Sequence, residues 1–248
     1  TGCYVTTPVT VNQTPTGISG TFSVCVGLTT TLSNGYGSGV WTSSNTGVAT
    51  VGSASGVVTG VSGGNSTITY TLPGNCFVTQ QVTVNTNPAS ITGTDNVCVG
   101  GNVTLSNATP SGLFSSSSTG VATIGGGTGM VTGITAGTTN ISYTLTATGC
   151  YSVMPFTVNA LPASITGTTN VCEGLTTTLS NATSGGEWSS SNTSKAAIGS
   201  STGGTDPLRA MLARVHPMTP PVVVVQHMTK ELLPSFVEED EETLAVVF

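Results

Sequence analysis

The chain repeats itself with a period of about 73 residues, and a fixed period of this length is typical of one structural unit repeated along a chain. Matching stretches begin at Trp41, Phe114 and Trp188. They read WTSSNTGVATVGSASGVVTG, FSSSSTGVATIGGGTGMVTG and WSSSNTSKAAIGSSTGG. The period therefore limits what the chain can fold into. The segments that we predict are the last strand of a preceding repeat at 1–14, whole repeats at 15–87 and 88–160, and a truncated repeat at 161–203.

Within each repeat, short runs rich in Thr, Val and Ile alternate with polar residues, as in residues 66–72 and 78–85. Such alternation is typical of strands with one buried face. Clusters such as Asn34-Gly35 and Gly63-Gly64-Asn65 favour turns between the runs. Several short strands per repeat, with one aromatic residue near the middle, predict an all-β fold of small β-sandwiches.

Charged residues make up only 6% of the chain, against about 25% in an ordinary protein. The first 194 residues contain no Lys or Arg, and their only carboxylates are Asp95, Glu173 and Glu187. Such a surface cannot neutralise phosphates, which excludes nucleic acid as its partner. Three scattered carboxylates cannot build a calcium site, which needs several oxygen ligands. The sequence also contains no metal-binding or nucleotide-binding motif, so we expect no metal and no cofactor. The chain has no apolar run long enough to span a membrane and no signal-peptide pattern at its start, so we expect no membrane insertion.

The cysteines follow the same period and predict disulfides, and therefore an oxidising compartment outside the cell. They form two series, Cys25, Cys98 and Cys172 on the one hand and Cys3, Cys76 and Cys150 on the other. One pairing, Cys25–Cys76 with Cys98–Cys150, would close each repeat on itself, and we favour it for that reason. The alternative, Cys3–Cys25 with Cys76–Cys98 and Cys150–Cys172, would staple the junctions between repeats. Spacing alone does not choose between them.

The stretches SSNTGVATV, SGVVTGVSGGNSTITYTL and VTVN resemble bacterial immunoglobulin-like domains of group 2, which occur in tandem in surface adhesins. The Val-Cys-Val-Gly, Gly-Cys-Tyr and Pro-Ala-Ser-Ile-Thr-Gly elements are similar to repeats of large secreted proteins of Bacteroidetes-type bacteria. The resemblance covers residues 1–203. It implies tandem immunoglobulin-like β-sandwiches, secreted or at the cell surface, that act as structural or adhesive spacers. The partner would be an unknown surface ligand or the neighbouring repeats.

After Gly203 the pattern changes. Residues 205–214 predict a helix, because Thr205 or Asp206 is a good N-cap, Pro207 suits the first helical position and apolar residues fall on one face. The run at 222–225 consists of valine alone and favours a buried parallel strand. Together with a predicted strand at 196–199, these elements make a truncated α/β segment of βαβ type.

This segment carries a second resemblance. AIGSSTGGTDPLRAML and PPVVVVQHM closely resemble the catalytic domain of the bacterial chemotaxis protein-glutamate methylesterase (CheB-type), over residues 195–248. The resemblance implies that Ser201 is the nucleophile and His227 its general base, in a cytoplasmic hydrolase that acts on methylated chemoreceptors. A histidine that removes the hydroxyl proton makes a serine a competent nucleophile. The aspartate that completes the family triad has no counterpart here, and half of the domain is missing.

Two hypotheses follow. The first is an extracellular structural or adhesive array of immunoglobulin-like repeats fused to an incomplete methylesterase domain, in a chimeric or fragmentary chain. The second is a serine-dependent protein-glutamate methylesterase that uses Ser201 and His227. In the register of the repeats, Ser201 also falls in a hairpin turn, because Gly-Gly-Gly-Thr-Gly stands at the matching place in the second repeat. The conflict of compartments between the two resemblances favours the chimera.

Overall fold

The computed structural model describes residues 2–198 and 224–228, and in these residues the fold is all-β. The first repeat forms an immunoglobulin-like β-sandwich of two four-stranded sheets, with strand orders β1-β3-β6-β5 and β2-β8-β7-β4. Its strands are β1 (Ser19–Gly20), β2 (Ser23–Cys25), β3 (Thr29–Ser33), β4 (Val40–Ser43), β5 (Ala49–Val51), β6 (Val57–Gly60), β7 (Gly64–Thr71) and β8 (Phe77–Asn85). Neighbouring strands are antiparallel, apart from β2 and β8, which are parallel.

The core of the first repeat lies between its two sheets and follows the alternation seen in the sequence. In β7 every second side chain from Ser66 onward is buried. Ile68 on β7 and Val82 on β8 are fully buried and share one core cluster with Val58 of the opposite sheet. Burial of one such aliphatic side chain contributes about 1.5–3 kcal/mol. Period-two patterning therefore places the apolar residues of both sheets in one core.

The second repeat builds the same arrangement, except that one of its sheets has three strands instead of four. Its sheets have the orders β10-β13-β12 and β11-β14-β15-β9. Its strands are β9 (Asn96–Cys98), β10 (Asn102–Thr104), β11 (Gly112–Ser116), β12 (Ala122–Ile124), β13 (Met130–Gly133), β14 (Gly137–Leu145) and β15 (Tyr151–Asn159). The parallel pair recurs, because Val97 of β9 lies opposite Val158 of β15 as Val24 lies opposite Val84 in the first repeat. The equal period in the sequence thus corresponds to the same order of strands in both repeats, apart from the two-residue strand β1, which has no counterpart among the named strands of the second repeat.

The chain divides into two compact units whose boundary runs through the second repeat. One unit consists of Thr1–Ile91, Ser106–Ser115 and Ser142–Met154, and the other of Thr92–Leu105, Ser116–Ile141 and the chain from Pro155 onward. Because the units cut across a repeat, they do not test the repeat boundaries that the sequence predicts.

The third repeat is partial in the described residues. Its strands are β16 (Thr166–Gly167), β17 (Leu179–Ser180) and β18 (Gly186–Ser190), and a later strand, β19 (Val224–Met228), pairs with β18. A small core of Leu179 and Trp188 remains, and the indole nitrogen of Trp188 is the one buried side-chain N or O atom of the described residues that has no hydrogen-bond partner. Within the described part of the chain, the third repeat therefore keeps the start of the sandwich and lacks much of its interior.

The pairing of β19 differs from the sequence prediction. The prediction was a strand parallel to one at 196–199, whereas β19 runs antiparallel to β18 and residues 196–198 form no strand. Trp188 of β18 lies opposite Gln226, just as Trp41 of β4 lies opposite Tyr70 of β7. An open strand edge pairs readily with a β-branched run, and β18 offers such an edge because its own repeat supplies no partner strand in the described residues. The predicted helix at 205–214 lies outside the described residues.

A buried tyrosine closes one end of each complete repeat. The Tyr143 hydroxyl accepts a hydrogen bond from the Gly112 backbone nitrogen at 2.9 Å and donates one to the Thr109 carbonyl oxygen at 2.6 Å. Its ring lies against Phe114, with ring centroids 4.7 Å apart. A buried hydroxyl of this kind needs both partners, because an unsatisfied one costs about 1–3 kcal/mol.

The first repeat repeats this closure. Tyr70 accepts from the Gly39 nitrogen at 2.8 Å, donates to the Tyr36 carbonyl oxygen and packs on Trp41, with ring centroids 4.5 Å apart. Glycine is required at the donor position, since a Cβ on Gly39 would lie 2.4 Å from the Tyr70 ring. The residue pattern Gly-x-aromatic at the start of the edge strands β4 and β11 is therefore a packing requirement.

Replacement of Gly112 by alanine tests this requirement. The added Cβ would lie 2.5 Å from two ring carbons of Tyr143, so we expect Gly112→Ala to lower the free energy of unfolding by about 1–3 kcal/mol. The matched control is Gly120→Ala, where a Cβ would meet no atom within 4 Å and the change should stay within about 0.5 kcal/mol. Urea unfolding of the full chain measures both. Equal stability of the two variants would contradict the assigned role of Gly112.

Candidate functional site

The first half of the candidate site is a cysteine at the end of the short strand β2. Cys25 lies opposite Asn85 in the parallel pairing of β2 with β8, and the Val26 nitrogen donates to the Asn85 carbonyl oxygen at 3.0 Å. The Cys25 side chain is buried, with 7% of its surface exposed. Because β2 has only three residues, its attachment to β8 fixes where this sulfur lies.

The second half is a cysteine in a tight turn of the second repeat. Cys150 lies between β14 and β15, where the Leu145 nitrogen donates to its carbonyl oxygen at 2.8 Å. The residue before it, Gly149, has a φ of 75°, a left-handed conformation that favours glycine. Cys150 is fully buried. The Gly-Cys-Tyr element of the sequence is therefore a turn that holds its cysteine in one place.

The structure joins these two residues. Cys25 and Cys150 form a disulfide with their Cα atoms 5.6 Å apart, inside the ordinary range for such bonds. The bond links residues 125 positions apart, from the first repeat to the second, and both residues belong to the same compact unit. It is thus the strand-end cysteine of one repeat that bonds the turn cysteine of the next.

Neither predicted pairing is present. The favoured pairing, Cys25–Cys76 with Cys98–Cys150, fails because Cys25 lies beside the last residue of β8, whereas Cys76 precedes the first. Nine residues of extended chain separate the two positions by about 30 Å, far beyond the reach of a disulfide. The junction pairing fails as well, because it would use Cys25 and Cys150 in two different bonds.

The other four cysteines are free thiols. Cys3 and Cys172 are exposed, while Cys76 and Cys98 are partly buried. Burial raises the pKa of the Cys98 thiol above its usual value, so this thiol ionises less readily than an exposed one. The partly buried pair therefore consists of one turn cysteine and one strand-end cysteine.

The third repeat shows what holds a strand-end cysteine in place. Residues 170–172 correspond to β2 and β9, yet they form no strand, and Cys172 is exposed. In the complete repeats this segment pairs with the last strand, β8 or β15. The described part of the third repeat contains no such strand, so residues 170–172 have no neighbour to pair with.

The predicted catalytic residues remain a prediction. Ser201 lies outside the described residues. His227 lies in β19, where its backbone is paired opposite Glu187 of β18. In the described residues, no three His, Cys, Asp or Glu side chains lie close enough together to hold a metal ion. No helix in the same residues is long and apolar enough to cross a membrane.

By its fold, the chain is an all-β protein of tandem immunoglobulin-like β-sandwiches, two of which are joined by a disulfide. A family model for the bacterial Ig-like domain (group 2) matches residues 5–74, and one for the CheB methylesterase matches residues 196–244. Both resemblances seen in the sequence are thereby confirmed. A search of curated proteins finds no match to the chain.

Several solved structures are similar in fold. They include the C-terminal 282-residue fragment of intimin in complex with the intimin-binding domain of its translocated receptor, at 18% identity and a TM-score of 0.35, covering 66% of this chain and 69% of that one. Domains 4 and 5 of the S-layer protein SbsC match at 23% identity and a TM-score of 0.24, covering 52% and 82%. Drosophila N-cadherin EC1-3 matches at 10% identity and a TM-score of 0.26, covering 60% and 68%. At these values the similarities do not define a function.

Replacement of Cys25 by serine tests the pairing. With Cys25–Cys150 as the one disulfide of the described chain, we expect four free thiols in the parent protein and five in Cys25→Ser. Thiol titration in denaturant under non-reducing conditions counts them, and peptide mapping locates the bond. Cys172→Ser is the matched control, since it should retain the disulfide and leave three free thiols. A bond from Cys150 to Cys98 in Cys25→Ser would mean that position does not select the partner.

Proposed function

We propose that residues 1–203 act as an extracellular structural or adhesive array of immunoglobulin-like repeats, and that residues 195–248 are an incomplete methylesterase domain fused to it. The chain would then be a chimera of two unrelated sequences. The observation that carries the proposal is the Cys25–Cys150 disulfide, which ties one repeat to the next. Disulfides persist in oxidising environments and are rare in the cytosol, which supports secretion or display at the cell surface.

The surface chemistry of the repeats supports a spacer role. The first 194 residues contain no basic side chain and three carboxylates, so they lack the charged groups on which most catalysis and phosphate recognition depend. The exposed positions are mainly Thr, Ser, Asn and Gly, which give an uncharged hydrogen-bonding surface. The partners of such an array would be its own neighbouring repeats and an unidentified surface ligand.

Reduction of the disulfide tests this proposal. A bond that closes a loop of about 125 residues stabilises the fold by about 5 kcal/mol in the chain-entropy model. We therefore expect dithiothreitol to lower the thermal midpoint of the full chain by several degrees and to speed its cleavage by a protease. The control is the double variant Cys25→Ser with Cys150→Ser, which should melt early and whose melting and protease cleavage should not change on addition of dithiothreitol. If the thermal midpoint of the parent protein were the same with and without dithiothreitol, the main support for an oxidised, extracellular array would be lost.

A second candidate function is protein-glutamate methylesterase activity, favoured by the family-model match over residues 196–244. In this interpretation His227 removes the proton of the Ser201 hydroxyl, and the Ser201 oxygen attacks the methyl ester. The substrate would be a methylated chemoreceptor in the cytoplasm. The sequence offers no residue that can be assigned the role of the orienting aspartate. Loss of that residue costs related serine enzymes about 10⁴ in turnover. The β19 pairing also engages the His227 backbone with the third repeat. These points make the array the better-supported function.

An esterase assay separates the two functions. Under the array proposal, the full chain and its Ser201→Ala variant should hydrolyse p-nitrophenyl acetate and methylated receptor at the same background rate. The matched control is Ser200→Ala, which changes the neighbouring hydroxyl in the same Gly-Ser-Ser-Thr-Gly element. Hydrolysis that Ser201→Ala abolishes and Ser200→Ala preserves would establish a working serine–histidine pair and overturn the assignment of residues 195–248 as an incomplete domain.

A further inference from the structure

The strand-end position of the second repeat is built like that of the first. Cys98 ends β9 and lies opposite Asn159 of β15, as Cys25 ends β2 and lies opposite Asn85. The Val99 nitrogen donates to the Asn159 carbonyl oxygen at 3.0 Å, the same bond at the same length as in the first repeat. The two cysteines thus have the same backbone setting, although Cys25 is in a disulfide and Cys98 is a free thiol.

A glycine lies against each strand-end cysteine. A Cβ on Gly133 would lie 2.7 Å from the Cys98 carbonyl oxygen, and a Cβ on Gly60 would lie 2.6 Å from that of Cys25. Any side chain at these two glycines would push the cysteine strand away from its neighbour. The close approach is therefore kept in both repeats, whether or not the cysteine is bonded.

The turn position is also repeated. The Leu72 nitrogen donates to the Cys76 carbonyl oxygen at 2.9 Å in the turn between β7 and β8, as the Leu145 nitrogen does to Cys150 at 2.8 Å. Cys150 is bonded to Cys25, and Cys76 is a free thiol. Each complete repeat therefore presents one cysteine of each kind, held in the same local geometry.

We propose that Cys98 is a docking site for the turn cysteine of a complete immunoglobulin-like repeat that follows the second repeat. The rule is read from the bond in the structure: a strand-end cysteine bonds the turn cysteine of the next repeat. The turn cysteine for Cys98 would fall one repeat period after Cys150, beyond Gly203, where the sequence leaves the repeat pattern. Val224 stands there, so Cys98 lacks its partner in this chain.

The same rule assigns the remaining cysteines. Cys76 is a turn cysteine and fits the strand-end cysteine of a repeat placed before the first. Cys3 belongs to the turn series and Cys172 to the strand-end series, so each carries one half of a further junction. One rule thus accounts for the single bond and for all four free thiols. It also describes a covalent chain in which every repeat is bonded both to the repeat before it and to the repeat after it.

The bond forms by ordinary thiol–disulfide exchange. Two thiols, that of Cys98 and that of the incoming turn, lose two protons and two electrons, and a small-molecule disulfide such as oxidised glutathione is reduced to two thiols. Since burial raises the pKa of Cys98, a smaller fraction of this thiol is ionised at neutral pH than of an unperturbed thiol. One of the two thiols attacks the small-molecule disulfide and releases one thiol, and the other thiol then attacks the mixed disulfide and releases the second.

A graft that restores the third repeat tests the proposal. Gly203 of the third repeat corresponds to Gly129 of the second repeat. Residues 204–248 of the full chain are therefore replaced by a copy of residues 130–160, so that the third repeat continues as the second one does. Oxidation with glutathione should join Cys98 to the grafted Gly-Cys-Tyr turn, which lowers the free-thiol count from four in the parent to three although one cysteine has been added. Peptide mapping should find the new bond beside Cys25–Cys150.

Two controls make the result decisive. A graft whose own cysteine is serine should keep four free thiols, and Cys98→Ser in the original graft should also leave four. Five free thiols in a graft that retains Cys25–Cys150 and shows strand circular dichroism would overturn the proposal, and so would a bond from the graft to Cys76 or Cys172. The proposal rests on the array function, but the tests are separable. Dithiothreitol-sensitive melting of the parent together with five thiols in the graft would leave the array standing and remove the docking site.

Discussion

The parallel pairing of a three-residue cysteine strand with the last strand of its repeat is the contact on which the rest of this structure depends. It joins β2 to β8 and β9 to β15, and so connects the start of each repeat to its end. Where the last strand is absent from the described residues, as in the third repeat, the cysteine segment at 170–172 forms no strand. The position of the sulfur atom is thus a consequence of completing the sandwich.

The disulfide in turn compensates for a small core. Each repeat buries mainly valine, isoleucine, leucine and a few aromatic side chains between short strands, and the chain has few charges with which to form ion pairs. A domain of about 73 residues gains only modest stability from burial alone. A bond from one repeat to the next restricts the unfolded state of both repeats together. Stability is therefore shared along the array, as in other repeat proteins whose neighbouring units stabilise each other.

Local patterns in the sequence predicted the fold, while the long-range pairings were beyond them. Alternation at 66–72 and 78–85 correctly predicted β7 and β8, because a half-buried strand records its two faces in its own residues. The Cys25–Cys150 bond leaves no such record, since it depends on where two distant segments lie. The predicted strand at 78–85 separates Cys76 from the end of β8 by more than a disulfide can span, but this excludes Cys25–Cys76 only once the structure places Cys25 opposite Asn85.

The strand β19 is a second case in which the sequence predicted a strand but not the strand that it pairs with. A run of valines records that a strand is favoured, but parallel and antiparallel neighbours both accept β-branched residues, so the run does not specify its partner. The pairing partner of β19 is therefore set by which strand edge is open. Residues 196–198 form no strand and offer none, whereas β18 has an edge that β7-type strands cover in complete repeats. The register follows too, because Gln226 takes the position opposite Trp188 that Tyr70 takes opposite Trp41. Part of the segment that matches the methylesterase family model thus pairs with a strand edge that the third immunoglobulin-like repeat leaves open in the described residues.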